Sequence, residues 1–112
     1  MSETLTSLPE MQHLIDTEPA LAVYYSSASC QVCHVLWPRL EGMLQQAFPR
    51  MRLVRVSADV APELAAQSGV LSIPTLVVYL DHRELRRYVR QISVEGVRQD
   101  LLRPYGMMFD GP

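Results

Sequence analysis

A chain of 112 residues is long enough for one domain with its own core and too short for two, so residues 1–112 read as a single unit. With 48% apolar and 20% charged residues, the composition is that of an ordinary globular protein and argues against disorder, collagen-like repeats and coiled coil. A net charge of −2, with no basic run interleaved with aromatics, makes nucleic acid a poor partner.

The opening MSETLTSLPEM lacks the basic start and apolar run of a signal peptide, and no segment approaches the ~18 apolar residues of a membrane span. The expected compartment is therefore the cytoplasm, with no membrane partner. A lone pair of cysteines is kept reduced there, which favours a catalytic or metal-binding pair over a purely structural disulfide. Ser7-Leu8-Pro9-Glu10 is a capping box with proline in the first turn. It predicts a short opening helix, carried by Leu8, Met11, Leu14 and Ile15 and stopped at Glu18-Pro19. Ala20 to Tyr25 is a continuous apolar run that predicts a strand buried on both faces, followed by a Ser26–Ser29 loop.

From Gln31, the apolar positions Val32, Leu36, Leu40, Met43, Leu44 and Ala47 recur at helical spacing up to Phe48-Pro49, with a kink expected at Pro38. Leu53 to Ser57 reads as a second buried strand, interrupted by Arg55. Ala61 to Ser68 reads as a short helix stopped by Gly69. Thr75 to Leu80 is a third apolar strand, Asp81-His82 a turn, and Leu85 to Arg90 a more polar strand whose charges suit an exposed edge. A last helix is predicted from its cap Ser93, with Val94, Val97 and Leu101 on one face and Pro104 ending it. Residues 105–112 are expected to be a packed or fraying tail.

The chemistry concentrates in Cys30-Gln31-Val32-Cys33-His34, which contains both cysteines of the chain. As C-x-x-C it is a redox dithiol; as C-x-x-C-H it is a covalent haem site. The patterned α/β sequence leaves little room for a macrocycle, and c-type attachment normally follows export, so the dithiol is preferred and no cofactor is expected. Zinc needs four ligands, and His13, His34 and His82 stand at no fixed spacing from the cysteines. A cysteine in the first turn of a helix faces unpaired N–H groups and the positive end of the macrodipole, which stabilise thiolate over thiol. Cys30 is thus the expected exposed nucleophile, its pKa lowered from about 8.5 into the range of roughly 3.5–7.5 seen for such pairs. Cys33, one turn further in, is the expected resolving thiol. His34 reads first as a solvated side chain on the helix surface and second as a cation that lowers the thiol pKa.

The strand–loop–CxxC–helix order, a proline five residues after Cys33, and Ile73-Pro74-Thr75 just before an apolar strand together resemble the thioredoxin family over nearly the whole chain. The resemblance implies a thioredoxin-like α/β fold: a central mixed sheet of about four to five strands flanked by helices, with a cis-proline loop facing the CxxC. It implies thiol–disulfide exchange with a protein disulfide client, or a small-thiol disulfide, and recharging by a reductase or oxidant partner. By the same likeness Pro74 is cis and shapes the client groove, and the backbone of Ile73 offers hydrogen bonds to an extended client.

Departures from the family pattern are equally definite. The tryptophan before the first cysteine is Ser29, and the usual Gly-Pro between the cysteines is Gln31-Val32. The buried acid six residues before the first cysteine is Tyr24, a poor proton acceptor at neutral pH, and its neighbouring lysine matches Arg55. With His34, these two are the candidates for tuning the thiols, though Arg55 also suits a snorkelling surface residue. The usual glycines of the final hairpin and of the approach to the last helix fall at His82 and Arg90. The competing expectation is a binding scaffold whose groove, with the Met107-Met108-Phe109 tail, holds a partner or a second copy as a weak homodimer while the dithiol is incidental.

Overall fold

The computed structural model describes residues 3–109. Its elements are β1 (Glu3–Leu5), α1 (Leu8–Thr17), β2 (Ala20–Ser26), α2 (Gln31–Ala47), β3 (Arg52–Ser57), α3 (Pro62–Gln67), β4 (Thr75–Leu80), β5 (Arg83–Val89) and α4 (Val94–Phe109). The five strands form one sheet in the order β1-β3-β2-β4-β5. Strands β1, β3 and β2 run parallel, whereas β4 is antiparallel to both β2 and β5. This is the mixed sheet flanked by helices that the sequence predicts.

Strand β2 lies at the centre of the sheet, and its apolar run follows from that position. Its side chains alternate between the faces, as a strand's must. Ala20, Ala22 and Tyr24 join one core with Leu36, Trp37, Leu40 and Leu44 of α2 and Val97 and Leu101 of α4. Leu21, Val23 and Tyr25 join the other with Met11 and Leu14 of α1 and Leu64 of α3. Each such Leu or Val stabilises the fold by roughly 1.5–3 kcal/mol through burial, so the two cores hold β2, and the loop that leaves it, in a fixed frame.

Helix starts follow local chemistry. Ser7 accepts from the N–H of Glu10 at 3.3 Å, and Ser93 accepts from the N–H of Gly96 at 3.0 Å. Beyond α3 the chain turns at Gly69, whose φ of 71° is the left-handed state that glycine enters without a Cβ clash.

Two expectations are corrected. The chain does not open with a helix: β1 precedes α1 and adds an edge beside β3, with Leu5 buried and Glu3 ion-paired to Arg52. Three residues with one buried side chain carry no period that a sequence can display. Nor does Pro104 end the last helix, which continues to Phe109. The segment past the proline is held by Tyr105, which is buried against Phe48 in an edge-on contact with ring centroids 5.0 Å apart. Its hydroxyl accepts from the N–H of Arg50 at 2.9 Å, and the Arg50 guanidinium lies 4.7 Å from the centroid of the Phe109 ring. Packing at these residues offsets the backbone hydrogen bond that Pro104 cannot donate. Residues 110–112 of the expected tail lie outside the described residues.

Candidate active site

Strand β2 delivers the chain to the loop Ser27–Ser29, and α2 begins at once beyond it. Cys30 is the N-cap of α2, and its sulfur accepts from the backbone N–H of Cys33 at 3.2 Å. Cys30 and Cys33 are joined in a disulfide, with their Cα atoms 5.3 Å apart. The sulfurs that a covalently attached haem would use are thus bonded to each other. The two cysteines differ in access: Cys30 is half-buried at the helix end, whereas Cys33 is 1% exposed and belongs to the core between α2 and the sheet.

Tyr24 donates its hydroxyl to the carbonyl oxygen of Cys33 at 3.0 Å. Burial pushes its pKa up to about 12, so at neutral pH it is a donor and not a base. The ring of Trp37 stacks on it, with centroids 4.7 Å apart and planes inclined by 23°. Arg55 is Tyr24's neighbour in the β2–β3 register. Its Nε is buried and has no hydrogen-bond partner among the described residues. Tyr24, Cys33, His34 and Arg55 surround one cavity of about 180 Å3, which Trp37 also lines. The exposed His34 donates from Nε2 to the carbonyl of Ala28 at 3.0 Å, which ties the helix start to the loop before it. All three candidates for tuning the thiols therefore meet behind Cys33.

On the other side, the Ile73–Pro74 peptide is cis and Pro74 is buried. Ile73 packs against the same core as Cys30 and stands just before the β4 pairing register, which starts at Thr75. The N–H of Arg90 donates to the carbonyl of Pro74 at 2.7 Å, fastening the loop before α4 to the proline loop. Arg90 and His82 both take left-handed backbone, with φ of 64° and 68°. Trp37 was not singled out from sequence, although its position four residues after Cys33 puts it on the same helix face.

Residues 6–103 match the family model described as Thioredoxin. The chain belongs to the thioredoxin family. It is 33% identical over 101 residues to the Thioredoxin-like protein YdfQ of Bacillus subtilis (strain 168), a match covering 90% of this chain and 89% of that protein. Over 77 residues it is 31% identical to Thioredoxin-3, mitochondrial, of Saccharomyces cerevisiae, covering 69% of this chain and 60% of that one. The crystal structure of yeast mitochondrial thioredoxin 3 in its oxidised form superposes with a TM-score of 0.79 at 27% identity, covering 89% of this chain and 95% of that chain. With the thioredoxin fold and its CxxC pair at bonding distance, the protein is a thiol–disulfide oxidoreductase. No helix among the described residues is long and apolar enough to cross a membrane.

Proposed function

We propose that Cys30 attacks and Cys33 resolves in disulfide exchange with client proteins, and that a dithiol reductase recharges the pair. The observation that carries this is the hydrogen bond from the Cys33 N–H to the Cys30 sulfur, on the more exposed of the two cysteines. Backbone N–H groups at a helix start favour negative charge, which suits a sulfur at this position to act as the attacking thiolate of the reduced form.

In the forward direction the Cys30 thiolate attacks one sulfur of a client disulfide. The Cys30–client bond forms, the client S–S bond breaks, and the leaving client sulfur takes a proton from solvent. Cys33 then gives up its proton and attacks the Cys30 sulfur, closing the Cys30–Cys33 bond and expelling the second client thiolate. Two electrons pass from the pair to the client; the one proton of the pair, on Cys33, goes to solvent, and each released client thiolate takes its proton from solvent. Tyr24 supplies no base for the second step, so the Cys33 proton goes to water reaching the cavity beside it. The Arg55 guanidinium lining that cavity lowers the cost of the Cys33 thiolate. Ile73 and Pro74 present the backbone on which an extended client lies. The cytoplasm, whose thiol carriers are kept reduced, supplies the electrons.

Trapping tests the assignment. The Cys33→Ser variant leaves Cys30 without its resolving partner and accumulates mixed disulfides, identifiable by mass spectrometry of non-reduced adducts. Cys30→Ser accumulates none. Equal trapping by both variants, or by neither, overturns the roles. A scaffold that only holds partners predicts non-covalent complexes from both variants and is not favoured by a pair already at bonding distance.

A further inference from the structure

Val32, Val35, Leu36 and Arg39 stand at i, i+3, i+4 and i+7 on α2 and form one stripe. Val32 and Val35 are 62% and 69% exposed, although a stripe of this spacing is normally buried. The stripe faces Arg90 and Ile92 across a groove of about 510 Å3 that begins at the residues between the two cysteines. Its walls are mostly apolar, with the carboxamides of Gln31 and Gln91 among them, and its charges are the two guanidiniums. No carboxylate lines it. Arg52, Arg87 and Arg98 each pair with a glutamate, whereas Arg39 and Arg90, like Arg83, Arg86 and Arg103, have no carboxylate partner among the described residues. Two uncompensated cations are thus held together on a chain of net charge −2.

Arg90 sits at a backbone position that a residue with a Cβ adopts at a cost. The same residue's N–H holds the Pro74 carbonyl, so its side chain leaves the backbone at the edge of the proline loop. We propose that this groove selects client segments that place an apolar residue on Val32, Val35 and Ile92 and carboxylate side chains on Arg39 and Arg90. Guanidinium suits this role because its planar fork meets a carboxylate with two hydrogen bonds. The inference rests on the exchange reaction proposed above and names the chemistry of the client that it prefers.

Two synthetic disulfide peptides test it, identical except for Glu or Gln at the positions flanking one cysteine. Reduced protein is expected to reduce the Glu peptide about ten-fold faster in kcat/KM at low ionic strength, with the ratio falling toward one in about 0.5 M salt. The ratio within each variant is the readout: it drops in Arg39→Gln and in Arg90→Gly and vanishes in the double variant. Glycine at position 90 keeps the left-handed backbone, so that variant folds. A ratio near one in the unmodified protein, or a preference that survives the double variant, overturns the proposal. Should neither peptide be reduced, the exchange reading fails. The groove is then judged by fluorescence anisotropy of the same peptides carrying serine for cysteine: a Glu-over-Gln preference supports it and equal affinities overturn it.

Discussion

The phenol of Tyr24 is bonded to the backbone of Cys33, its O–H donating to the carbonyl oxygen at 3.0 Å. A buried hydroxyl thereby occupies the place where the family pattern puts a carboxylic acid, and it holds the helix instead of exchanging a proton. Tyr24→Phe is expected to cost about 1 kcal/mol in urea denaturation, since Cys33 O keeps its helical bond and loses only the extra donor. The pH profile of mixed-disulfide resolution between about pH 6 and 9 is expected to be unchanged, because a group with a pKa of about 12 does not titrate there. A profile that loses a limb in the variant would show Tyr24 to be a proton carrier after all.

The same phenol makes the protein sensitive to alkali. Its folded pKa of about 12 lies above the ordinary value of 10, so its contribution to stability is fully present below pH 10 and lost as the pH rises through 12. About two units correspond to roughly 2–3 kcal/mol for a side chain that is 1% exposed. Tyr79, raised to about 12 by burial, adds to the fall in the same window. Chemical denaturation from pH 9 to 12 is expected to show a steep loss of stability for the unmodified protein and a shallower one for Tyr24→Phe.

Much of this site was legible because the sequence carries it in residue type and spacing. Cys30 and Cys33 at a strand–helix junction, and a strand such as Ala20–Tyr25 with no polar break, leave few alternatives. What stayed hidden depends on three-dimensional partners. Strand β1 exists because Leu5 finds the core beside β3, and α4 runs through Pro104 because Tyr105 finds Phe48 and Arg50. Neither contact leaves a local period. His82 and Arg90 stand where glycines were expected, and only the structure reveals that both nonetheless take positive φ. Trp37 is not among the apolar positions that the helical spacing picks out on α2, yet it stacks on the ring of Tyr24 and lines the cavity behind Cys33.

Arg55 separates stability from catalysis. Its Nε is buried without a hydrogen-bond partner among the described residues, and such a group costs about 1–3 kcal/mol. Arg55→Met keeps the stem and removes the head, so the variant is expected to gain about 1 kcal/mol or more in thermal or urea unfolding. The charge removed is the one lining the cavity beside Cys33. The Cys33 thiolate then becomes harder to form, and mixed disulfides formed by Cys30 should persist several-fold longer in stopped-flow or quench experiments. A variant that is stabilised and resolves at an unchanged rate would assign Arg55 to solvation alone.

The end of α4 is a structural element of the core, and truncation reads its contribution. Removing residues 105–112 takes away the Tyr105 ring from the Phe48 contact, leaves the Arg50 N–H without its acceptor and uncovers the Phe109 side of Arg50. Loss of a buried aromatic side chain costs about 3–5 kcal/mol. The truncated protein should therefore unfold at much lower urea concentration. Tyr105→Phe isolates the polar part: the ring stays, the acceptor goes, and a loss of about 1–3 kcal/mol is expected from the stranded N–H. Truncation without measurable destabilisation would mean that α2 and β3 close over the gap unaided. Hydrogen exchange at the Arg50 amide, slow in the full chain and fast in both variants, would locate the effect at the turn between them.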